Sequence, residues 1–153
     1  MTNNHRPISE LLAHRPPMVL IDELIAFDSD SAHCQVTITP DSAFYQRDIN
    51  GVQSYIGSEY MAQSIAAYAG AHDCQHQRGV KIGFLLGSRK IRCLKPIFKL
   101  GSTLDIYVTQ VVQDESGLSV FDCAIECDNE RYLEAKINVF QPADPMKFIK
   151  ENQ

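Results

Sequence analysis

"QRDINGVQSYIGSEYMAQSIAAYAG", residues 46 to 70, decides how this chain folds. Its first part is polar and turn-forming, with Asp48, Asn50 and Gly51 close together. From about Tyr55 the pattern takes a helical period, with Ile56, Tyr60, Ile65 and Tyr68 as the larger apolar groups, and a helix is predicted to about Asp73. Ser58, Ala62, Ala66 and Gly70 recur every fourth residue, a ridge of small side chains along one face. A glycine inside a helix costs about 1 kcal/mol relative to alanine, so Gly70 marks either the close approach of another backbone or a fraying end. A helix this apolar has to be wrapped by other structure. One carboxylate, Glu59, sits on its first turn and has no obvious place in such a surface.

The material to wrap it lies on both sides. Ahead of it, "ISELLAH" has the spacing of a short amphipathic helix that Pro16 and Pro17 would end. "MVLIDELIAF" reads as a strand, and "AHCQVTITP" alternates Cys34, Val36 and Ile38 with Gln35, Thr37 and Thr39, so a hairpin turning at "DSDS" is predicted. After the helix come four strand-like runs, "VKIGFLLGSRKIRCL", "TLDIYVTQVVQ", "LSVFDCAIEC" and "RYLEAKINVF". Turn signals at Gly87-Ser88, Lys99 to Ser102, Glu115 to Gly117 and Asp128-Asn129 separate or bend them. The tail "PADPMKFIKENQ" reads as a surface segment. The expected fold is α+β, an antiparallel sheet curled around one long central helix, and residues 1–153 form a single domain without repeat or linker.

Composition narrows the function. With 153 residues, 44% hydrophobic and 22% charged, the chain resembles an ordinary globular domain. A net charge of −5 offers no basic footprint for nucleic acid or an anionic membrane surface. No run approaches the roughly 20 apolar residues of a spanning helix, and "MTNNHRPISELL" has no signal-peptide core, so a cytoplasmic location is expected. Five cysteines without a CxxC pair read as buried reduced thiols rather than a disulfide framework or zinc site. His72 and His76 flank Cys74 in "HDCQH", but no second cluster completes a set of four ligands, so no metal is expected.

Two stretches, "LLAHRPPMVLIDEL" and "EYMAQSIAAYAG", resemble motifs of the bacterial β-hydroxyacyl-acyl-carrier-protein dehydratases of the hot-dog fold. The first is similar to that family's His-Arg, proline, apolar strand and Asp; the second is similar to its helix motif Glu-Ala-Met-Ala-Gln. Weaker agreement continues through "LLGSRKIRCLKPIFKLGSTL", and the chain looks nearest to the divergent dehydratase-like proteins of aryl-polyene gene clusters. The resemblance implies a dimer, homo- or heterodimeric with a related dehydratase, acting without a cofactor on acyl-carrier-protein-bound thioesters. In that family a His from one subunit and a helix acid from the other flank the substrate. Glu59 is similar to that acid, with Gln63 one turn later facing the substrate, and the Ser54 amide falls where the family's carbonyl-polarising donor lies.

The family's base does not carry over. Its loop motif Phe-Phe-x-Gly-His-Phe-Pro-Gly meets "AFYQRDINGV" here, which places Asp48 where the His stands and shortens the loop by about three residues. No histidine occurs between His33 and His72. An unperturbed Asp is about 2.6 pKa units more acidic than His, hence a poorer base at neutral pH, and general acid–base catalysis is typically worth about 10² to 10⁴ in rate. Three readings remain open at this point: a dehydratase that is weak alone, a non-catalytic or half-site partner of a His-bearing dehydratase, and a hot-dog acyl thioesterase. Two plainer readings stand beside the chemical ones: Glu59 as an acid complementing the helix dipole, and Asp48 as a turn residue.

Overall fold

The computed structural model describes residues 1–77, 79 and 84–140. One helix, α1 (Gly57–Gln75), carries a 3-10 turn, Ser54–Ile56, on its N-terminus. Seven strands form one antiparallel sheet around it, in the order β1 (Thr2–Asn3), β2 (Glu23–Phe27), β3 (Ser31–Thr37), β7 (Thr103–Gln113), β8 (Leu118–Cys127), β9 (Glu130–Phe140) and β5 (Phe84–Cys93). A separate pair, β4 (Gly51–Gln53) with β6 (Ile97–Lys99), lies at the start of the helix. This is the hot-dog arrangement expected from the sequence.

The hairpins form where turn chemistry and alternation coincide. Asp28 Oδ1 accepts hydrogen bonds from the Asp30 and Ser31 amides and the Ser31 hydroxyl, closing β2 onto β3. These donors hold the Asp28 carboxyl below its ordinary value. Asp128 and Asn129 both take positive φ, 51° and 65°, and make the two-residue turn between β8 and β9 whose twist suits a hairpin. Along β7, Leu104, Ile106 and Val108 are fully buried while Tyr107 and Thr109 face outward, and Cys34, Val36 and Ile38 are buried as the alternation requires. Across the outer face Lys136 bonds Asp122, and Arg131 bonds Glu126 and Glu134.

The segment before β2 departs from expectation. Only Ile8–Glu10 makes a 3-10 turn, and β2 starts at Glu23 rather than near Met18. Residues 10 to 20 instead run as a strap along α1. At one end the Leu11 carbonyl lies so close to Gly70 that a Cβ there would stand 1.9 Å from its oxygen. Of the two readings of Gly70, close backbone approach is therefore the one observed. At the other end Gln63 holds Met18 and Leu20. The Arg15 guanidinium reaches the carbonyls of Leu12, Ala13 and His14, folding the strap on itself, and the Pro16-Pro17 bond is cis.

The cysteine reading needs one correction. Cys34, Cys123 and Cys127 are buried, with burial pushing the Cys34 thiol up to about 12, but Cys74 is only partly covered and Cys93 on β5 is exposed. All five are free thiols. The predicted surface tail and the first residues of "VKIGFLLGSRKIRCL" lie outside the described residues.

Candidate functional site

The N-terminus of α1 is clamped before any chemistry is placed on it. Val52 pairs with Phe98 across β4 and β6, and a Cβ on Gly51 would come within 2.3 Å of the Phe98 carbonyl oxygen, so only glycine lets the two strands approach this closely. The buried Phe98 ring then packs on Tyr60 at 6.0 Å and on Tyr132 at 5.8 Å. Gly57 seats the first helical turn directly against the sheet, where a Cβ would meet Leu133 at 2.5 Å and Ile125 at 2.7 Å. With Gly57 and Tyr60 turned inward, Glu59 between them projects to the outside and is exposed.

Asp48 stands at the tip of the turn that leads into β4. Gln46 and Gly51 bond each other in both directions, at 2.9 and 3.3 Å, and the Ile49 and Asn50 amides donate to the Gln46 and Arg47 carbonyls. Asp48 is exposed there. Among the described residues neither the Asp48 nor the Glu59 carboxylate makes a hydrogen bond or an ion pair, and no hydrogen bond joins them. The structure thus places the acid on the helix and the aspartate on a separate, tightly closed loop. Tyr60, the other titratable group beside Glu59, has its phenol pushed up to about 12 by burial and by Asp22, so it stays protonated and supplies no base.

The polar groups of the other two expected site residues, Ser54 and Gln63, are engaged within the chain. The Ser54 amide is not a free donor: it bonds the Pro96 carbonyl at 2.9 Å, and Ser54 is buried. Of the amides that follow, that of Gly57 already bonds the Ser54 carbonyl, which leaves the free donor of this helix start at Tyr55, whose residue is 58% exposed. Gln63 likewise does not face open space. Only 5% exposed, it accepts from the Leu20 amide at 2.8 Å and donates to the Met18 carbonyl. What the sequence reading missed is the strap that Gln63 holds and the exposed Met18 it carries, although the Gln in the helix motif was a visible signal.

At the far end of α1 the histidines are structural. His72 Nε2 bonds the Asp28 carbonyl at 2.8 Å with its ring edge against Phe27 and Tyr68, and His76 Nδ1 bonds the His72 carbonyl. Among the described residues no group of three or more His, Cys, Asp or Glu side chains is placed to hold a metal ion, and no helix is long and apolar enough to cross a membrane.

Comparison with solved structures gives this geometry a family. The dehydratase heterocomplex ApeI:P from Xenorhabdus doucetiae contains a chain 31% identical to this one, superposing with a TM-score of 0.89 over 98% of this chain and 99% of that one. A hypothetical thioesterase from Streptococcus pneumoniae TIGR4 with coenzyme A (16% identity, TM-score 0.62, 78% of this chain and 84% of that one) shares the fold alone. So does the PaaI protein of E. coli from the phenylacetic acid degradation operon (15%, 0.60, 77% and 81%). No curated protein sequence matches. The ApeP-like family model, described as ApeP dehydratase, matches residues 6–150, nearly the whole of the strap, helix and sheet described above. A family match over nearly the whole chain and 31% identity to a chain of a dehydratase heterocomplex agree: the chain belongs to the ApeP-like dehydratase family.

Proposed function

We propose that this chain is one subunit of a 3-hydroxyacyl-acyl-carrier-protein dehydratase and that it works paired with a related, His-bearing subunit. The observation that carries the reading is Glu59: a carboxylate held on the first turn of α1 by the Phe98 and Gly57 packing, exposed, and without a histidine in the 34–71 segment that surrounds it. In the paired site the partner's imidazole removes the proton α to the thioester carbonyl. The electron pair forms the α,β double bond, and the Glu59 carboxyl group delivers a proton to the departing β-hydroxyl, which leaves as water. The Tyr55 amide, in the 3-10 turn that opens onto α1, polarises the thioester carbonyl at the positive end of the helix dipole.

The edge strand β5 supplies the pairing surface for this reading. Among the described residues it ends the sheet and pairs on one side with β9, with Ile91 on it at 47% exposure and Leu94 just past its end at 44%. An edge of ten residues is long enough to continue into a second sheet about a two-fold axis. The ApeI:P assembly of the similar chain supports a mixed rather than a homodimeric pair.

The test is to purify the chain alone and after co-expression with a His-bearing dehydratase of the same organism. Mass in solution and dehydration of a 3-hydroxyacyl carrier-protein thioester are then measured for both. The expected result is a mixed complex that dehydrates and an isolated chain that does so slowly or not at all. Full turnover by the homodimer, or thioester hydrolysis in place of dehydration, would overturn the reading.

A further inference from the structure

Gln63 lies one helical turn beyond Glu59, so the two side chains stand on the same face of α1 about 6 Å apart along the axis. Its amide is engaged at both ends by the backbone of the strap, accepting from Leu20 and donating to Met18. Between those two bonds the chain is fixed; ahead of them Met18 N donates to Arg15 O at 2.8 Å, closing a tight turn. The product of this bracing is a methionine, Met18, presented at 60% exposure on the strap held by Gln63, which itself lies one turn from the first-turn acid Glu59. Methionine is flexible, unbranched and polarizable, and offers an adaptable apolar surface.

We propose that Gln63 is a positioning residue and that the Met18 it holds is a wall of the acyl-chain site, so that the strap sets which chains are accepted. This rests on the dehydratase reading above and deepens it. Gln63 makes no direct bond to substrate; it fixes the wall, and Glu59 next to it acts on the β-hydroxyl. Each methylene seated on such a wall is worth about fourfold in affinity, so the strap acts on discrimination between chains rather than on the proton transfer itself.

The experiment compares wild type, Gln63→Met and Met18→Ala in the co-expressed complex. Dehydration of a short and a long 3-hydroxyacyl pantetheine thioester is measured as separate kcat and KM, and amide exchange of Leu20 is followed in the same proteins. Gln63→Met is expected to raise Leu20 exchange about tenfold by removing its acceptor. Both variants are expected to change the long-to-short ratio of kcat/KM at least fivefold, mainly through KM. Unchanged Leu20 exchange in Gln63→Met overturns the proposal whether or not the complex is active. An unchanged ratio with kcat lowered equally for both chains also overturns it, and makes Gln63 a residue of the chemistry. If Met18→Ala weakens assembly while the ratio stays constant, Met18 is a subunit contact and the proposal fails. Absence of dehydration by wild type on both thioesters, with Leu20 exchange raised as expected, instead removes the dehydratase reading and leaves Gln63 as the brace of the strap.

Discussion

Gly70→Ala should destabilise the protein although helix propensity favours it. Propensity alone would make the substitution stabilising by about 1 kcal/mol. The space does not exist: a Cβ at residue 70 would lie 1.9 Å from Leu11 O, 2.8 Å from Leu11 C and 3.1 Å from its Cα. The obstacle is backbone, not the end of a side chain, so the strap itself must retreat by about 1.5 Å to restore ordinary van der Waals contact. Leu11 and Leu12 are buried at 0% and 2%, and such a shift lifts both from the core. Overpacking of this kind costs typically about 1–3 kcal/mol, occasionally more. Set against the propensity gain, the middle of that range leaves a net loss of about 1 kcal/mol. With a urea m-value near 2 kcal/mol/M, that lowers the unfolding midpoint by about 0.5 M. Urea unfolding of wild type and variant at equal protein concentration, followed by far-UV circular dichroism, reads this directly. A midpoint equal to or above wild type would mean that the strap does not lie on α1 and that Gly70 is merely a weak helix residue.

Glu59→Gln keeps size and hydrogen bonding but has no proton to give, so dehydration by the mixed complex should fall about 10² to 10⁴-fold with assembly unchanged; full activity would leave Glu59 as a helix-end acid only. The depressed Asp28 carboxyl gives a pH signature. A group whose pKa is lowered by folding stabilises the native state above its unfolded value, and that contribution is lost as pH falls through the folded one. Thermal unfolding of wild type below about pH 4 should therefore decline more steeply than that of Asp28→Asn, and parallel curves would show that the three bonds to Asp28 contribute nothing.

What the sequence makes legible is what depends on short-range pattern. The four late strands, the helix and the Asp28 and Asp128-Asn129 turns follow from period and turn chemistry within a few residues. The N-terminal segment misled because its apolar spacing resembles helix and strand equally. Its conformation is decided by partners some fifty residues away: Gln63 takes the amide and carbonyl that a strand neighbour would have used, and Gly70 makes room for Leu11. Strands β4 and β6 were invisible for the same reason, since three-residue strands at 51–53 and 97–99 announce themselves only through the close contact of Gly51 with Phe98. Around the candidate site, the place of Glu59 on the first turn of α1 was legible from the helical period. The fate of the Ser54 amide was not, because its acceptor is the Pro96 carbonyl, over forty residues further on.

The loop before β4 bears on whether the missing base can be put back. A general base must come within about 2.6–3.2 Å of the proton it takes, directly or through one water. Asp48 sits at the tip of a six-residue turn whose ends, Gln46 and Gly51, are tied by two backbone bonds, with Ile49 and Asn50 bonded back to Gln46 and Arg47 and Asn50 at a positive φ of 50°. A loop closed that tightly has no slack to carry a side chain toward the helix acid of another subunit. On the paired-subunit proposal, the shorter approach to α1 removes the base's position as well as its imidazole. Asp48→His should leave the isolated chain at its starting rate, and Asp48→Asn should leave the mixed complex near wild type, where the working imidazole belongs to the partner. Dehydration by the purified single-chain protein, assayed before and after Asp48→His, decides it. A gain of about 10² or more would show that residue 48 does reach the substrate, that only its chemistry was wrong, and that the site of this chain is complete in a homodimer.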